Sequence, residues 1–290
     1  MKPLARAILS TLYYHQLFYF PLNLANLKKW LFGYHLSSLE TDNQLLAALE
    51  TLVRQRLIDH NKGYYYLKNC PFDQSSMTMK RKTAWSKVDQ AQKVCRLIGW
   101  LPWVRLVAVT GNVAMDNTNL GDDVDLMIVT QPQRLWLSRL LIVLGLKFIG
   151  QYRSTQPSSR IDQSRQYCLN LWLESVQPLA KNAFVAHELL AIKPLINKKG
   201  AYERLIQANK WVFDFWPNHP AALNLKTKLT ADFKYNRTLN RLNELAYHGQ
   251  RLYMRRKITR EKIAYQWAFF HPQDQSRRVL RLFDRYLAKL

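Results

Sequence analysis

The sequence predicts an α+β protein in which a mixed sheet flanked by helices follows an N-terminal helical module and precedes a helical C-terminal extension. Apolar residues recur at helical spacing through residues 1–58. Two short apolar runs, at residues 104–110 and 124–130, have the length of buried strands and enclose a turn-rich segment. We therefore expect domains at residues 1–70 and 79–220, joined by a linker, and a basic helical extension at residues 221–290.

The composition indicates a folded chain with an affinity for negative charge. Of the 290 residues 48% are hydrophobic, which is enough for a substantial core and argues against general disorder. The 43 lysines and arginines exceed the 20 acidic residues, giving a net charge of +23. Such an excess favours polyanionic partners such as nucleic acid, nucleotides or anionic surfaces.

The cysteines and the apolar runs bear on the cellular setting. The three cysteines, Cys70, Cys95 and Cys168, are odd in number and follow no metal-binding spacing, which favours a reducing, cytoplasmic setting. The N-terminus lacks the pattern of a signal peptide. The most apolar run, residues 135–149, is interrupted by Arg139 and Lys147. We expect this run to be a buried helix instead of a membrane span, with contact to a membrane surface as the weaker alternative.

The N-terminal module has helical patterns at residues 2–18, 21–33 and 41–58, followed by a glycine turn at Gly63 and an aromatic strand. On the third helix we expect a buried stripe of Leu45, Leu46, Leu49, Leu52, Val53 and Leu57. Three helices and a hairpin resemble a winged helix-turn-helix domain. That resemblance implies a third helix able to enter the major groove of DNA. Because the exposed face is mixed in charge, a module that contacts protein or positions a substrate is the alternative.

A long basic helix is expected at residues 79–100, and it leads into the two apolar runs. In a strand, side chains alternate between the two faces. Asp123 and Asp125 therefore point the same way, while Val124, Leu126 and Ile128 point into a core. Two adjacent carboxylates repel each other unless a cation lies between them, which predicts a divalent-metal site. The turn at Gly111 is a candidate phosphate cradle.

The pattern Thr-Gly-Asn followed by Asp-Asp-Val-Asp-Leu resembles the signature of the DNA polymerase β-like nucleotidyltransferase superfamily. The resemblance implies that Gly111 and Asn112 bind the triphosphate of an NTP and that Asp123 and Asp125 bind Mg²⁺. Asp122 stands where many members have serine or threonine. The combination with a winged helix is similar to that of uncharacterised bacterial proteins.

Members of this superfamily usually carry a third carboxylate on a later strand, which we expect at residues 167–173. Strict alternation would place Leu169, Leu171 and Leu173 on one face and Cys168, Asn170, Trp172 and Glu174 on the other. Asn170 then occupies the expected position, and an amide cannot accept a proton as a general base. Glu174 lies about 13 Å further along the strand, and Asp162 lies in a polar loop.

The remaining patterns predict packing elements. Residues 133–150 and 181–195 are expected to be helices on the sheet, with His187 as a packing residue, and residues 211–220 form an aromatic core segment. The last region holds 16 basic and 5 acidic residues. Its helices either pack on the core with solvated cations or provide a track for phosphates.

Together these features predict a Mg²⁺-dependent nucleotidyltransferase that moves a nucleotidyl group from an NTP to an acceptor. The alternative is a degenerate nucleotide-binding regulator whose winged helix binds DNA, supported by the amide of Asn170. A basic RNA-binding scaffold is a third, weaker hypothesis.

Overall fold

The computed structural model describes residues 2–37, 42–68, 70, 72–151, 167–174, 178–226, 236–255, 262–270 and 275–290. Asp162 lies outside this part of the chain. The described residues form a mixed α+β structure with two sheets, in agreement with the predicted class.

The N-terminal helices are α1 (Pro3–Gln16), α2 (Leu24–Lys29) and α3 (Asp42–Arg54). They pack on a three-stranded antiparallel sheet of β1 (Leu22–Asn23), β3 (Tyr64–Leu67) and β2 (Ile58–Asn61), in that order. The buried stripe of α3 consists of Leu45, Leu49 and Leu52. The prediction was wrong for Leu57, which is 41% exposed. The helix ends at Arg54, and Arg56 turns the chain with a φ of 57°.

Helix α4 (Gln74–Gly99) begins within the segment predicted to be a linker. The side chain of Asp73 caps its first turn by accepting a hydrogen bond from the Ser75 N–H at 2.9 Å. The helix therefore starts earlier than its basic residues alone suggested, and it leads directly to the central sheet.

The central sheet has six strands in the order β7 (Lys193–Asn197), β4 (Val104–Val109), β5 (Val124–Thr130), β6 (Tyr167–Glu174), β9 (Trp267–Phe269) and β8 (Lys262–Ile263). It is mixed, because β5 and β6 run parallel while the other neighbours are antiparallel. The helix expected at residues 181–195 is shorter, since α7 (Ala183–Ala191) gives way to β7. Pro194 explains this end, because the residue before a proline avoids helical geometry.

Helices cover both faces of the sheet. The first core lies under α4, α6 (Leu135–Phe148) and α10 (Arg237–Met254) and includes Leu126, Ile128 and Trp172. The second core lies under α7, α8 (Ala201–Ala208), α9 (Val212–Phe215) and α11 (Ser276–Leu287). Tyr14 and Trp30 from the N-terminal helices belong to this second core. The N-terminal module is thus packed against the sheet domain.

The C-terminal region is not wholly helical, contrary to the prediction. Strand β9 pairs with β6, and β8 extends the sheet beyond it. The aromatic residues Trp267 and Phe269 pack against the second core from this strand. In α11 the apolar side is buried through Val279 and Phe283, while Arg277 and Arg281 are exposed. The apolar side of α11 thus packs on the second core.

Helix α6 is apolar on nearly all sides but buried on only one. Trp136 and Ile142 lie in the first core, whereas Leu144 and Phe148 are exposed. Within the described ranges, no helix combines the length and the apolar character needed to cross a membrane.

Candidate active site

Asp123, directly before β5, and Asp125, within it, lie side by side, as predicted, while Val124, Leu126 and Ile128 fill the first core. Ligand atoms of Asp123, Asp125 and Cys168 all lie within 4.8 Å of one another. These three side chains are partly exposed, so an ion can reach them. No other group of three or more such side chains with this geometry occurs in the part of the chain described.

Cys168 enters the site through the sheet, because it is the direct partner of Asp125 in the parallel β5–β6 pairing. Its thiol donates a hydrogen bond to Asn170 Oδ1 at 2.6 Å. The sequence alone did not predict this neighbour, since a lone cysteine 43 residues from Asp125 has no ligand spacing. The period-two pattern of residues 167–173 did place Cys168 and Asn170 on one face.

The predicted alternation of β6 was wrong beyond Asn170. Asp125 pairs with Cys168, but Met127 pairs with Leu171, so β6 contains one extra residue at this point. This β-bulge reverses the faces that follow it. Leu169 and Trp172 lie in the first core, whereas Leu173 lies in the second. The bulge keeps Asn170 beside Asp125.

Asn170 is buried and holds Asp125 in place. Its Nδ2 donates to Asp125 Oδ1, while its Oδ1 accepts the Cys168 thiol. With this assignment the amide oxygen is directed at sulfur and the amide nitrogen at the carboxylate. Asn170 therefore positions a ligand of the candidate metal site.

Gly111 forms the turn that faces Asp125. It has a φ of 63°, and a Cβ built on it would lie 3.0 Å from Asp125 Oδ2. The Thr110 N–H donates to the Asp125 carbonyl at 2.9 Å, which ties this turn to β5. The turn continues into α5 (Gly111–Ala114), where the side chain of Asn112 is exposed. Glycine is thus required both for the backbone conformation and for the space beside the carboxylate.

Replacing Gly111 with alanine tests this arrangement. An L-residue in the left-handed region costs about 1–2 kcal/mol, and the added methyl group also displaces the Asp125 carboxylate. We expect Gly111→Ala to be less stable in urea unfolding and to bind Mn²⁺ more weakly in calorimetry. Gly121→Ala is the matched control, because nothing lies within 4 Å of its Cβ position. Equal metal affinity in both variants would show that Gly111 does not shape the site.

Asp122 organises the loop before β5. Its Oδ2 accepts the Asn119 N–H at 2.8 Å and the Thr118 hydroxyl at 3.1 Å. Its backbone carbonyl accepts Lys87 Nζ from α4. These contacts fix the loop that leads to Asp123. The Asp122 side chain forms its hydrogen bonds within this loop.

Glu188 is a second acidic group that touches the Gly111 turn, and sequence reasoning did not consider it. It lies on α7, partly buried, with its carboxyl group at the backbone N–H of Gly111. Burial raises the pKa of Glu188 to about 7, although the hydrogen bond from Gly111 acts in the opposite direction. The helical pattern at residues 181–195 predicted packing but not this contact. The contact depends on how α7 packs on the sheet, which the pattern does not specify.

Glu174 is buried on β6, and its side chain contacts the start of a helix. Its Oε1 accepts the backbone N–H groups of Arg134 and Leu135 at 3.1 and 3.2 Å. It thus caps the start of α6. Its distance along the strand had already argued against a role as third carboxylate.

His187 neighbours Glu188 in the chain but lies in a different environment. It is buried between Trp30, at a ring-centroid distance of 4.3 Å, and His15, at 5.2 Å. Neither ring nitrogen has a hydrogen-bond partner among the described residues. These contacts agree with the predicted packing role.

No family model matches this chain, and the searches of curated proteins and of solved structures found no match either.

Proposed function

We propose that this chain is a divalent-metal-dependent nucleotidyltransferase whose metal ligands are Asp123 and Asp125. The observation that carries the proposal is the pairing of the two carboxylates, with Asp125 against the Gly111 turn, where a side chain at position 111 would meet it. A glycine turn beside paired carboxylates suits the binding of a metal-chelated triphosphate. The superfamily resemblance of this stretch and the mixed sheet support the same function.

The donor set fits Mg²⁺, which proteins commonly hold through one or two carboxylates together with substrate phosphates. Asp123 and Asp125 would supply these oxygens, and Asn170 fixes the orientation of Asp125. The Cys168 thiol is a softer third donor, and it donates a hydrogen bond to Asn170. When bound, Mg²⁺ neutralises charge on the reacting phosphate.

The other steps belong to the protein's own groups. Asn112 lies exposed next to Gly111, and its amide can donate to a phosphate oxygen. The acceptor hydroxyl must lose its proton during transfer, and we assign this proton to Glu188. Its carboxyl group touches the same turn and has a pKa near the operating range of a general base.

A nucleotide-binding regulator without turnover is the second candidate. One observation favours it: an amide stands at position 170 in place of a carboxylate. In that case the N-terminal module, which resembles a winged helix, would supply DNA binding. A hollow of about 610 Å³ beside its β2–β3 turn is lined in part by Lys62, Phe72 and Lys82, which suits a nucleic acid.

Asp125→Asn distinguishes these candidates. We expect at least ~100-fold slower pyrophosphate release from ATP and Mg²⁺, because the amide cannot replace an anionic ligand. The thermal melt should change little, since an asparagine oxygen can still accept from Asn170. Asp89→Asn, on the exposed side of α4, is the control. Calorimetric ATP binding by the unaltered chain without pyrophosphate release would favour the regulator.

A further inference from the structure

On the outward face of α10, basic side chains alternate with exposed leucines. Arg241, Leu245, His248, Leu252 and Arg255 follow one another at i, i+4, i+7, i+11 and i+14, so they form one stripe on the helix. All five are exposed, and the two leucines retain 68% and 72% of their accessible surface. The opposite side is buried through residues such as Ala246 and Met254.

Additional apolar and basic groups widen this stripe. Leu242 and Tyr253, beside it on the same helix, are 44% and 60% exposed. A surface hollow of about 500 Å³ is lined by His248, Arg251, Leu252 and Arg255, and it combines an apolar side chain with cations. Exposed apolar side chains that are grouped together and bordered by polar residues mark an interaction surface.

We propose that this face of α10 docks on an anionic lipid surface. Leucines that stand between arginines match a headgroup layer, because the apolar side chains enter the acyl boundary while the guanidinium groups remain at the lipid phosphates. A nucleic-acid backbone offers the leucines no apolar partner. A second copy of the chain would bring arginines against arginines. This inference does not depend on the proposed nucleotidyltransferase activity.

Vesicle flotation tests the proposal with the full chain. The probe is a vesicle of three parts phosphatidylcholine to one part phosphatidylglycerol, compared with phosphatidylcholine alone. We expect binding only to the anionic vesicle, and a loss of about tenfold or more in partitioning for Leu245→Ser combined with Leu252→Ser. Arg241→Gln combined with Arg255→Gln should also weaken binding, and added salt should weaken binding of the unaltered chain and reduce its difference from this variant.

Matched variants separate docking by α10 from the general attraction of a chain with a charge of +23. Leu97→Ser and Leu120→Ser remove exposed leucines elsewhere, and Arg277→Gln with Arg281→Gln removes the same charge from α11. These controls should bind as the unaltered chain does. Equal binding by the α10 variants and the controls would overturn the proposal, as would equal binding to neutral vesicles. Absence of vesicle binding, with single-stranded RNA held by the same face, would also overturn it.

Discussion

Acidification from about pH 7 to about pH 4 is expected to destabilise the folded chain by several kcal/mol, because three buried histidines bind protons more weakly in the folded chain than in the unfolded chain. Burial lowers the pKa of His15 to about 4 and that of His219 to about 3. The pKa of His187 is well below its ordinary value, first through burial and then through the charges of His15, His219 and Lys29.

The sign of the effect follows from proton binding. Between the folded pKa values and the unfolded value of 6.5, these histidines bind protons in the unfolded chain but are largely neutral in the folded chain. Stability is therefore complete above about pH 6.5 and falls by about 1.4 kcal/mol per pH unit for each histidine as the pH drops. Glu188 acts in the opposite direction between its ordinary pKa and 7, because its folded carboxyl group retains a proton there. The net slope is that of about two histidines.

Urea unfolding across this pH range measures the slope. His187→Phe keeps an aromatic ring among Trp30 and Trp216 but cannot be protonated, so its stability should depend less steeply on pH. The exposed His60, changed to phenylalanine in the same way, is the control. An unchanged slope in His187→Phe would show that this histidine is protonated in the folded state.

The location of the histidines determines where acid acts first. His15 lies on α1, His187 lies on α7, and His219 follows α9. They therefore join the N-terminal helices to the face of the sheet that carries Glu188. We expect loss of this contact to precede the loss of the first core, which contains none of the three.

The parts of the site that could be predicted are local in sequence. Alternation along β5 was sufficient to place Asp123 and Asp125 together and to direct Val124 and Leu126 inward. The glycine turn was identifiable because Gly111 stands directly after an apolar strand. Within such a short segment, steric rules and burial act on neighbouring residues, so the pattern is visible in the sequence.

The parts that were missed depend on pairing between distant segments. The bulge in β6 changes which face Trp172 occupies, and it arises from the register of β6 against β5. The strands β8 and β9 are only two and three residues long and gain their hydrogen bonds from β6 and from each other. The contact of Glu188 with Gly111 requires α7 to pack on the sheet. None of these has a periodic signal within its own segment.

Glu188→Gln is expected to remove the acidic limb of the pH profile of pyrophosphate release. With a pKa of about 7, the Glu188 carboxyl group is half ionised near neutrality, and only the ionised form accepts a proton. The rate of the unaltered chain should fall about tenfold per pH unit below that value. Glutamine has no ionised form, so its rate should be about 10²–10⁴-fold lower and nearly independent of pH in this range.

The stability of the same variant provides a measurement that does not depend on turnover. Glutamine resembles the protonated carboxyl group, and burial penalises only the ionised form. Glu188→Gln should therefore match the unaltered chain near pH 4 and exceed its stability at pH 8, whereas Glu50→Gln on the exposed side of α3 should show no such trend. If this stability pattern holds but the acidic limb of pyrophosphate release persists in Glu188→Gln, then Glu188 is a buried structural carboxyl group and another group accepts the proton. If the stability pattern holds and the acidic limb of pyrophosphate release also disappears, the Glu188 carboxyl group is the base. Helix α7 then supplies the carboxylate that β6 lacks at Asn170.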